Sequence, residues 1–167
     1  MEATHIRFKP QQDMERTMSK IKCLLQPTIQ PCAISAAILV LRLVVGAAFI
    51  LHGWGKIQNP FAWMGEDSTV PAIFQFLAAL SEFGGGLALI IGLLTRLACL
   101  GLASTMVVAV HLHMLTLGDP FVATKGGASY ELALVYLSIS ILLFFIGAGK
   151  LSLDAKLFGQ KESSGCE

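Results

Sequence analysis

Six ionisable side chains fall inside or at the edges of long apolar runs of this sequence: Arg42, His52, Glu82, His111, His113 and Glu131. Placing such a group in hydrocarbon costs roughly a few kcal/mol, so each of them needs a partner or a wet cavity. These residues are therefore the first candidates for chemistry, and the helices that carry them decide which of them can meet.

Arg42 and Glu82 are the two charged residues that lie deepest in these runs. At a rise of 1.5 Å per helical residue, Arg42 lies about 14 Å from the start of its run and Glu82 about 15 Å from the opposite end of its own. Both estimates reach the midplane of a bilayer, which predicts an intramembrane ion pair that neutralises two costly charges. Such a pair would either fix the register of the helices or act as a relay or ligand clamp.

A second polar group is expected in the outer third of the helices, where His52, Lys56, His111 and Glu131 would surround an outward-facing pocket. His111 and His113 are two residues apart and diverge by about 200° on a helix, so only one of them can face the interior. That divergence disfavours a metal site, and none is predicted. The alternative is a set of uncoupled residues at the level of the lipid headgroups.

The composition explains why a membrane is assumed. Of 167 residues, 54% are hydrophobic and only 14% are charged, whereas a soluble domain carries roughly 25% charged residues. A spanning helix needs about 20 apolar residues. The sequence supplies four such runs and predicts an all-α integral membrane four-helix bundle, with spans at about 33–54, 72–94, 97–117 and 130–147.

The distribution of Lys and Arg predicts the orientation of these spans. Nine basic residues lie on the side that carries both chain ends and Arg96, and two, Lys56 and Lys125, lie on the other. This predicts a multi-pass membrane protein with both termini in the cytoplasm. Residues 1–31 and 158–167 would be tails, and 32–157 the membrane domain. Residues 13–25 form either an interfacial helix or part of a polar tail.

Glycines mark the expected contacts between helices. Without a Cβ atom they let helix backbones approach closely in lipid. The main interpretation is packing; the alternative is a groove beside Glu82 that admits a flat ligand. The predicted packing glycines are Gly46, Gly84, Gly85, Gly86 and Gly92.

Four stretches resemble the DoxX family of small bacterial membrane proteins. They are residues 41–56, which end in His52-Gly-Trp-Gly-Lys56, residues 82–96, residues 130–132 and residues 147–154. The resemblance implies a four-span bundle in the bacterial plasma (inner) membrane. Family members are linked to a thiosulfate:quinone oxidoreductase subunit, to complexes answering oxidative stress and to maturation of other proteins. The polar positions that match the family are Arg42, His52, Lys56, Glu82, Arg96 and Glu131.

Three functions follow from the resemblance and the residues together. The first is a non-catalytic component or assembly factor of a membrane redox complex, with a membrane protein partner or a second copy of the chain. The second is a quinone-interacting subunit of an oxidoreductase, with quinone as the cofactor and a partner to carry electrons, because the chain has no C-x-x-C pair. A small transporter is the third, disfavoured because no inverted repeat or pair of broken helices is evident. Net charge is +1 with no basic stripe, which argues against nucleic acid.

Overall fold

The computed structural model describes residues 9–65 and 68–159; the rest of the two predicted tails lies outside the described residues. The described chain consists of helices and connecting loops, as the all-α prediction requires. The α-helices are α1 (Lys9–Leu25), α2 (Cys32–Gln58), α3 (Ala72–Ile91), α4 (Thr95–His111), α5 (Glu131–Ile146) and α6 (Leu153–Phe158), and a π-helical segment, Leu112–Thr116, extends α4.

Among the described residues, three helices are long and apolar enough to cross a membrane: α2, α3, and α4 together with its π-helical segment. Helix α5 is more apolar than these three but has only 16 residues. That is about 24 Å of helix against roughly 30 Å of hydrocarbon. The buried core takes side chains from α2 to α5, including Phe49, Leu89, Leu102 and Leu143. Large apolar side chains cover the outer faces of these helices, as lipid contact requires.

Glycines bring α2 and α3 together as an antiparallel pair. A Cβ atom on Gly46 would lie 2.8 Å from the carbonyl oxygen of Gly86, and one on Gly53 would lie 2.6 Å from the backbone nitrogen of Phe83. Gly85 faces Leu102 of α4, where a Cβ atom would lie 3.0 Å away. Gly84 is different, since its nearest neighbour would be Leu80 of its own helix at 3.5 Å. The packing prediction is therefore corrected at Gly84, which lies one position away from both contact faces.

A tight hairpin joins α3 to α4. Gly92 ends α3 in the left-handed conformation, with φ of 72°, and its N–H donates to the carbonyl of Ala88 at 2.8 Å. Glycine adopts this conformation without steric cost, which is why it commonly ends helices. The guanidinium of Arg42 lies against Gly92 and leaves no room for a Cβ atom there. We call this region the hairpin end of the molecule, and the opposite region, where α2 leads into α3, the cavity end.

Candidate functional site

A partly open cavity of about 230 Å³ lies among α2, α3, α4 and α5 at the cavity end. Its wall combines charged, polar and aromatic side chains with small apolar ones, which is the mixture that small-molecule sites use to orient a ligand. The lining residues are Phe49, His52, Lys56, Glu82, Met106, Ala109, His113, Ser129, Leu132, Ala133 and Tyr136.

The strongest polar contact in the cavity is an ion pair between Lys56 and Glu82. The ammonium of Lys56 donates to both carboxylate oxygens of Glu82, at 2.6 and 2.7 Å. The Glu82 side chain is 4% exposed, whereas that of Lys56 is 24% exposed. Lys56 thus neutralises a carboxylate that could not remain charged alone in an apolar interior. A lysine ammonium has three donors, so one N–H remains for a ligand after both oxygens are satisfied.

The loop between α2 and α3 holds Lys56 in place. The Lys56 ammonium lies 4.6 Å from the centre of the Trp63 ring, a cation–π contact. The Trp63 indole N–H donates to the backbone carbonyl of Gln75 at 2.9 Å. The Gln75 side chain accepts from the Met64 N–H and donates to the Val70 carbonyl. The buried amide of Gln75 therefore fastens this loop onto α3, with the indole against the ion pair.

Aromatic rings form the wall between α2 and α5. The rings of Phe49 and Tyr136 are tilted with centroids 4.9 Å apart, and His52 meets Tyr136 edge to face at 6.1 Å. Phe49 is 1% exposed and closes the cavity toward the core. Phe49 and Tyr136 were absent from the predicted site, since an aromatic residue in an apolar run carries no signal that separates a cavity wall from a core.

The predicted outer pocket needs correction at two residues. His52 and Lys56 line the cavity, but His111 and Glu131 do not, and both are exposed. His113 takes the place of His111, and its Nδ1 lies 2.7 Å from a carboxylate oxygen of Asp119. The π-helical segment begins at Leu112, and its wider turn changes the direction of the residues that follow. Glu131 is the first residue of α5 and lies on its outer side.

The predicted Arg42–Glu82 ion pair is wrong. Arg42 is fully buried and donates four hydrogen bonds, all to backbone carbonyls. Two of these carbonyls lie in the last turn of α3, where a helix has no internal donors left for them. The acceptors are Leu89 at 2.8 Å, Ile90 at 3.2 Å, Ala148 at 2.7 Å and Leu151 at 3.0 Å.

Asp154 completes the hairpin end and was missed as a site residue. Its two carboxylate oxygens accept from the backbone N–H groups of Leu94 and Thr95 at 2.7 and 2.9 Å, and its own N–H donates to the Gly92 carbonyl. A carboxylate at the start of α4 is favourable because helix N-termini carry partial positive charge. Its acceptor role joins residues 60 positions apart in sequence, so no local pattern indicates it. We call Arg42, Asp154 and these backbone partners the Arg42 cluster.

Within residues 9–65 and 68–159, no group of three or more His, Cys, Asp or Glu side chains could hold a metal ion. The side chains on the cavity wall offer hydrogen bonding and ring stacking. Lys56 and His52 can donate to an oxygen, and Phe49 and Tyr136 offer ring faces and edges. The fold and the site together define a helical membrane protein with a polar cavity among its apolar helices.

Comparisons with known proteins agree with this class. A family model named DoxX matches residues 37–115. An uncharacterised protein of Haemophilus influenzae is 37% identical over 120 residues, covering 71% of this chain and 88% of that protein. The Escherichia coli protein named "Inner membrane protein YqjF" is 33% identical over 125 residues, covering 72% and 91%. A Bacillus subtilis protein named "Putative oxidoreductase CatD" is 29% identical over 127 residues, covering 75% and 90%.

The chain belongs to the DoxX family. The matched stretch contains Arg42, His52, Lys56 and Glu82, and so includes both the ion pair and the centre of the Arg42 cluster. No solved structure matches the chain. The family resemblance predicted from the sequence is therefore confirmed, and the geometry of the cavity is the remaining basis for a function.

Proposed function

We propose that this protein binds the ring of a lipid-soluble quinone in its cavity and serves as the quinone-interacting subunit of a membrane oxidoreductase. The sequence favoured a non-catalytic component or assembly factor. The cavity reverses that order, because a scaffold has no use for a charged pair held beside an open space within apolar helices. The observation that carries the proposal is the Lys56–Glu82 pair on a cavity wall that also presents His52 and Tyr136.

The residues present fit a quinone ring. Its carbonyl oxygens accept hydrogen bonds, which the third N–H of Lys56, the ring of His52 and the hydroxyl of Tyr136 can donate. A flat ring suits a wall made by Phe49 and Tyr136. The volume, about 230 Å³, lies just below the usual range of about 300–1,000 Å³ for ligand sites. It suits one ring system rather than a whole lipid molecule.

A bound quinone would supply two-electron, two-proton redox chemistry. This chain's part is to orient the ring through Lys56 and His52, and to hold a proton at the carboxylate of Glu82, which lies within hydrogen-bond distance of Lys56. The electrons come from a partner subunit. The name of the Bacillus subtilis relative, which contains the word oxidoreductase, supports a redox setting.

The proposed arrangement in the membrane follows the charge distribution. Helix α5 is the fourth span beside α2, α3 and α4, and both tails, residues 1–31 and 158–167, lie in the cytoplasm with 32–157 as the membrane domain. Nine basic residues against two support this orientation, and the name of the Escherichia coli relative supports the inner membrane. The cavity end then faces outward. Labelling of single cysteines placed in each tail tests this arrangement in intact cells.

Tryptophan fluorescence tests quinone binding directly, because the protein has only two tryptophans. Trp63 lies at the ion pair, whereas Trp54 is 57% exposed on the outer surface and contacts Phe83. In the Trp54→Phe variant, we expect a decyl-substituted benzoquinone to quench Trp63 with saturation. The matched Trp63→Phe variant reports on Trp54 and should show only the unsaturable quenching of quinone dissolved in the bilayer.

A second substitution ties the signal to the ion pair. In the Trp54→Phe background, Lys56→Met removes the donor, and the saturable component should be lost while the fold is retained. If Trp63 and Trp54 are quenched alike and without saturation, the quinone function is wrong. An assembly role is then the better proposal, and proteins that co-purify from gently solubilised membranes become the measurement of interest.

A further inference from the structure

One side of the cavity is closed differently from the others. Neighbouring helices α2 and α3, α3 and α4, and α4 and α5 pack along their lengths, but the backbones of α2 and α5 hardly approach each other. Between these two fully described helices, the wall consists of side chains. The Phe49–Tyr136 and His52–Tyr136 ring contacts cross the gap.

Two of the lining residues show that the cavity reaches the outer surface along this gap. Leu132 of α5 lines the cavity and is also 49% exposed. His52 of α2 likewise lines the cavity and is exposed. A residue that lies on the cavity wall and on the outer surface together marks an opening. Phe49, one turn deeper on α2, is buried and forms the floor.

The opening faces apolar surroundings. His52 lies six residues before the end of α2, which is about 9 Å of helix, and Phe49 lies about 14 Å from that end. Val135, one turn from Leu132 on α5, is 46% exposed and apolar. Hydrocarbon therefore surrounds the gap when α2 spans the membrane. Ser129 lines the cavity from the loop that precedes α5, so this is the side from which a ligand dissolved in water would arrive.

We propose that the ligand enters the cavity sideways from the bilayer, between α2 and α5, and is therefore a molecule that keeps an apolar tail in the lipid. This inference rests on the proposed quinone function and narrows its substrate class to tailed, membrane-dissolved quinones. The ring occupies the cavity while the tail passes between His52 and Leu132 into the hydrocarbon. The small volume of the cavity agrees with this arrangement, since only the ring needs to fit.

Stopped-flow quenching of Trp63 in the Trp54→Phe background tests the route with two probes, a decyl-substituted benzoquinone and the same ring carrying a methyl group. Leu132→Phe narrows the lateral gap and should slow association of the decyl probe roughly three- to tenfold, a change of up to about 1.4 kcal/mol in the entry barrier. Leu132→Ala widens the gap and should accelerate it. The matched substitution on the loop side of the cavity, Ser129→Phe, should slow the methyl probe more than the decyl probe.

The outcomes separate the two proposals. If both probes quench with saturation in the parent but Ser129→Phe, rather than Leu132→Phe, slows the decyl probe, the ligand enters from water and the lateral route is wrong. Saturable binding with rates that no substitution alters also overturns the lateral route while the quinone function stands. If neither probe quenches with saturation in the parent, the quinone function itself fails, and the lateral route fails with it.

Discussion

The two polar clusters of this protein lie about four turns apart on α2 and differ in how their charges are satisfied. In the Arg42 cluster, a fully buried guanidinium and a carboxylate that is 2% exposed are bonded to backbone groups. At the cavity end, Lys56 and Glu82 bond to each other beside an open space. A charge saturated by the backbone holds the fold together, whereas a charge pair with a spare donor facing a cavity can still receive a ligand.

This difference assigns stability to the hairpin end and ligand binding to the cavity end. In the Arg42 cluster, Arg42 joins the end of α3 to the segment before α6, and Asp154 joins the start of α4 to the same region. Removing any member leaves buried backbone groups without partners. At the cavity end, removal of Glu82 should cost less stability, because Lys56 is partly exposed and can turn toward water when this partner is lost.

The largest expected effect is that of Arg42→Met. This substitution removes the guanidinium and leaves the carbonyls of Leu89, Ile90 and Ala148 without their donor. Each unsatisfied buried group costs about 1–3 kcal/mol, so the loss of three donors should lower the free energy of unfolding by roughly 3–9 kcal/mol. Thermal unfolding in detergent measures this. Arg42→Lys should recover only part of the loss, because an ammonium cannot match the geometry of the planar guanidinium.

If Arg42→Met instead unfolds at the parental temperature while quinone binding is lost, the assignment of stability to the hairpin end is wrong. Arg42 would then be part of the ligand site and not of the structural cluster. Lys56→Met serves as the matched control for the removal of a cation from α2, since it removes one positive charge at the other end of the same helix.

A smaller effect is expected for Asp154→Ala, which removes both acceptors at the start of α4. Loss of an N-terminal cap costs about 0.5–2 kcal/mol, and this carboxylate is buried, so we expect the upper part of that range. Asp154→Asn keeps one acceptor oxygen and should lose less. Lys156→Ala, on the exposed side of the same short helix, is the control and should unfold with the parent. Equal melting of Asp154→Ala and Lys156→Ala would contradict the capping role.

The same contrast explains what the sequence could predict. The lengths of the apolar runs predicted the bounds of α2, α3 and α4 to within a few residues, because a membrane span is recognised by its composition. The cost of charge in hydrocarbon also singled out Arg42 and Glu82 as residues that need partners. The identity of those partners was wrong for both. Arg42 bonds to backbone carbonyls, which every residue carries and no side-chain pattern reveals.

The error at Glu82 has a geometric cause. Counting from the ends of the apolar runs placed Arg42 and Glu82 at one depth, but the register of α2 against α3 is set by glycine contacts. Gly53 packs against Phe83, so Lys56, about one turn after Gly53, reaches Glu82. Arg42 lies about three turns before Gly53 and therefore reaches the end of α3. Likewise, the choice of His113 over His111 depends on a π-helical turn. Register and local helix geometry are set by packing, which one sequence does not specify.

The smallest stability effect and the sharpest test of the comparison come from Glu82→Gln. Lys56 can point to water after this change, so the free energy of unfolding should fall by only about 1 kcal/mol, as for partly exposed ion pairs. Saturable quenching of Trp63 by the decyl-substituted benzoquinone should nevertheless be lost. The double variant with Lys56→Met should show a coupling energy of about 0.5–3 kcal/mol, because the two side chains touch.

The double variant with Arg42→Met should instead show stability losses that add within about 0.5 kcal/mol, as for separate sites. Additivity with Arg42 and coupling with Lys56, measured by thermal unfolding of the same preparations, would establish two independent polar clusters. Strong coupling between Arg42 and Glu82 would instead mean a single network that runs the length of α2. Stability and ligand binding could then no longer be assigned to opposite ends of the molecule, because any change at the cavity would reach the hairpin.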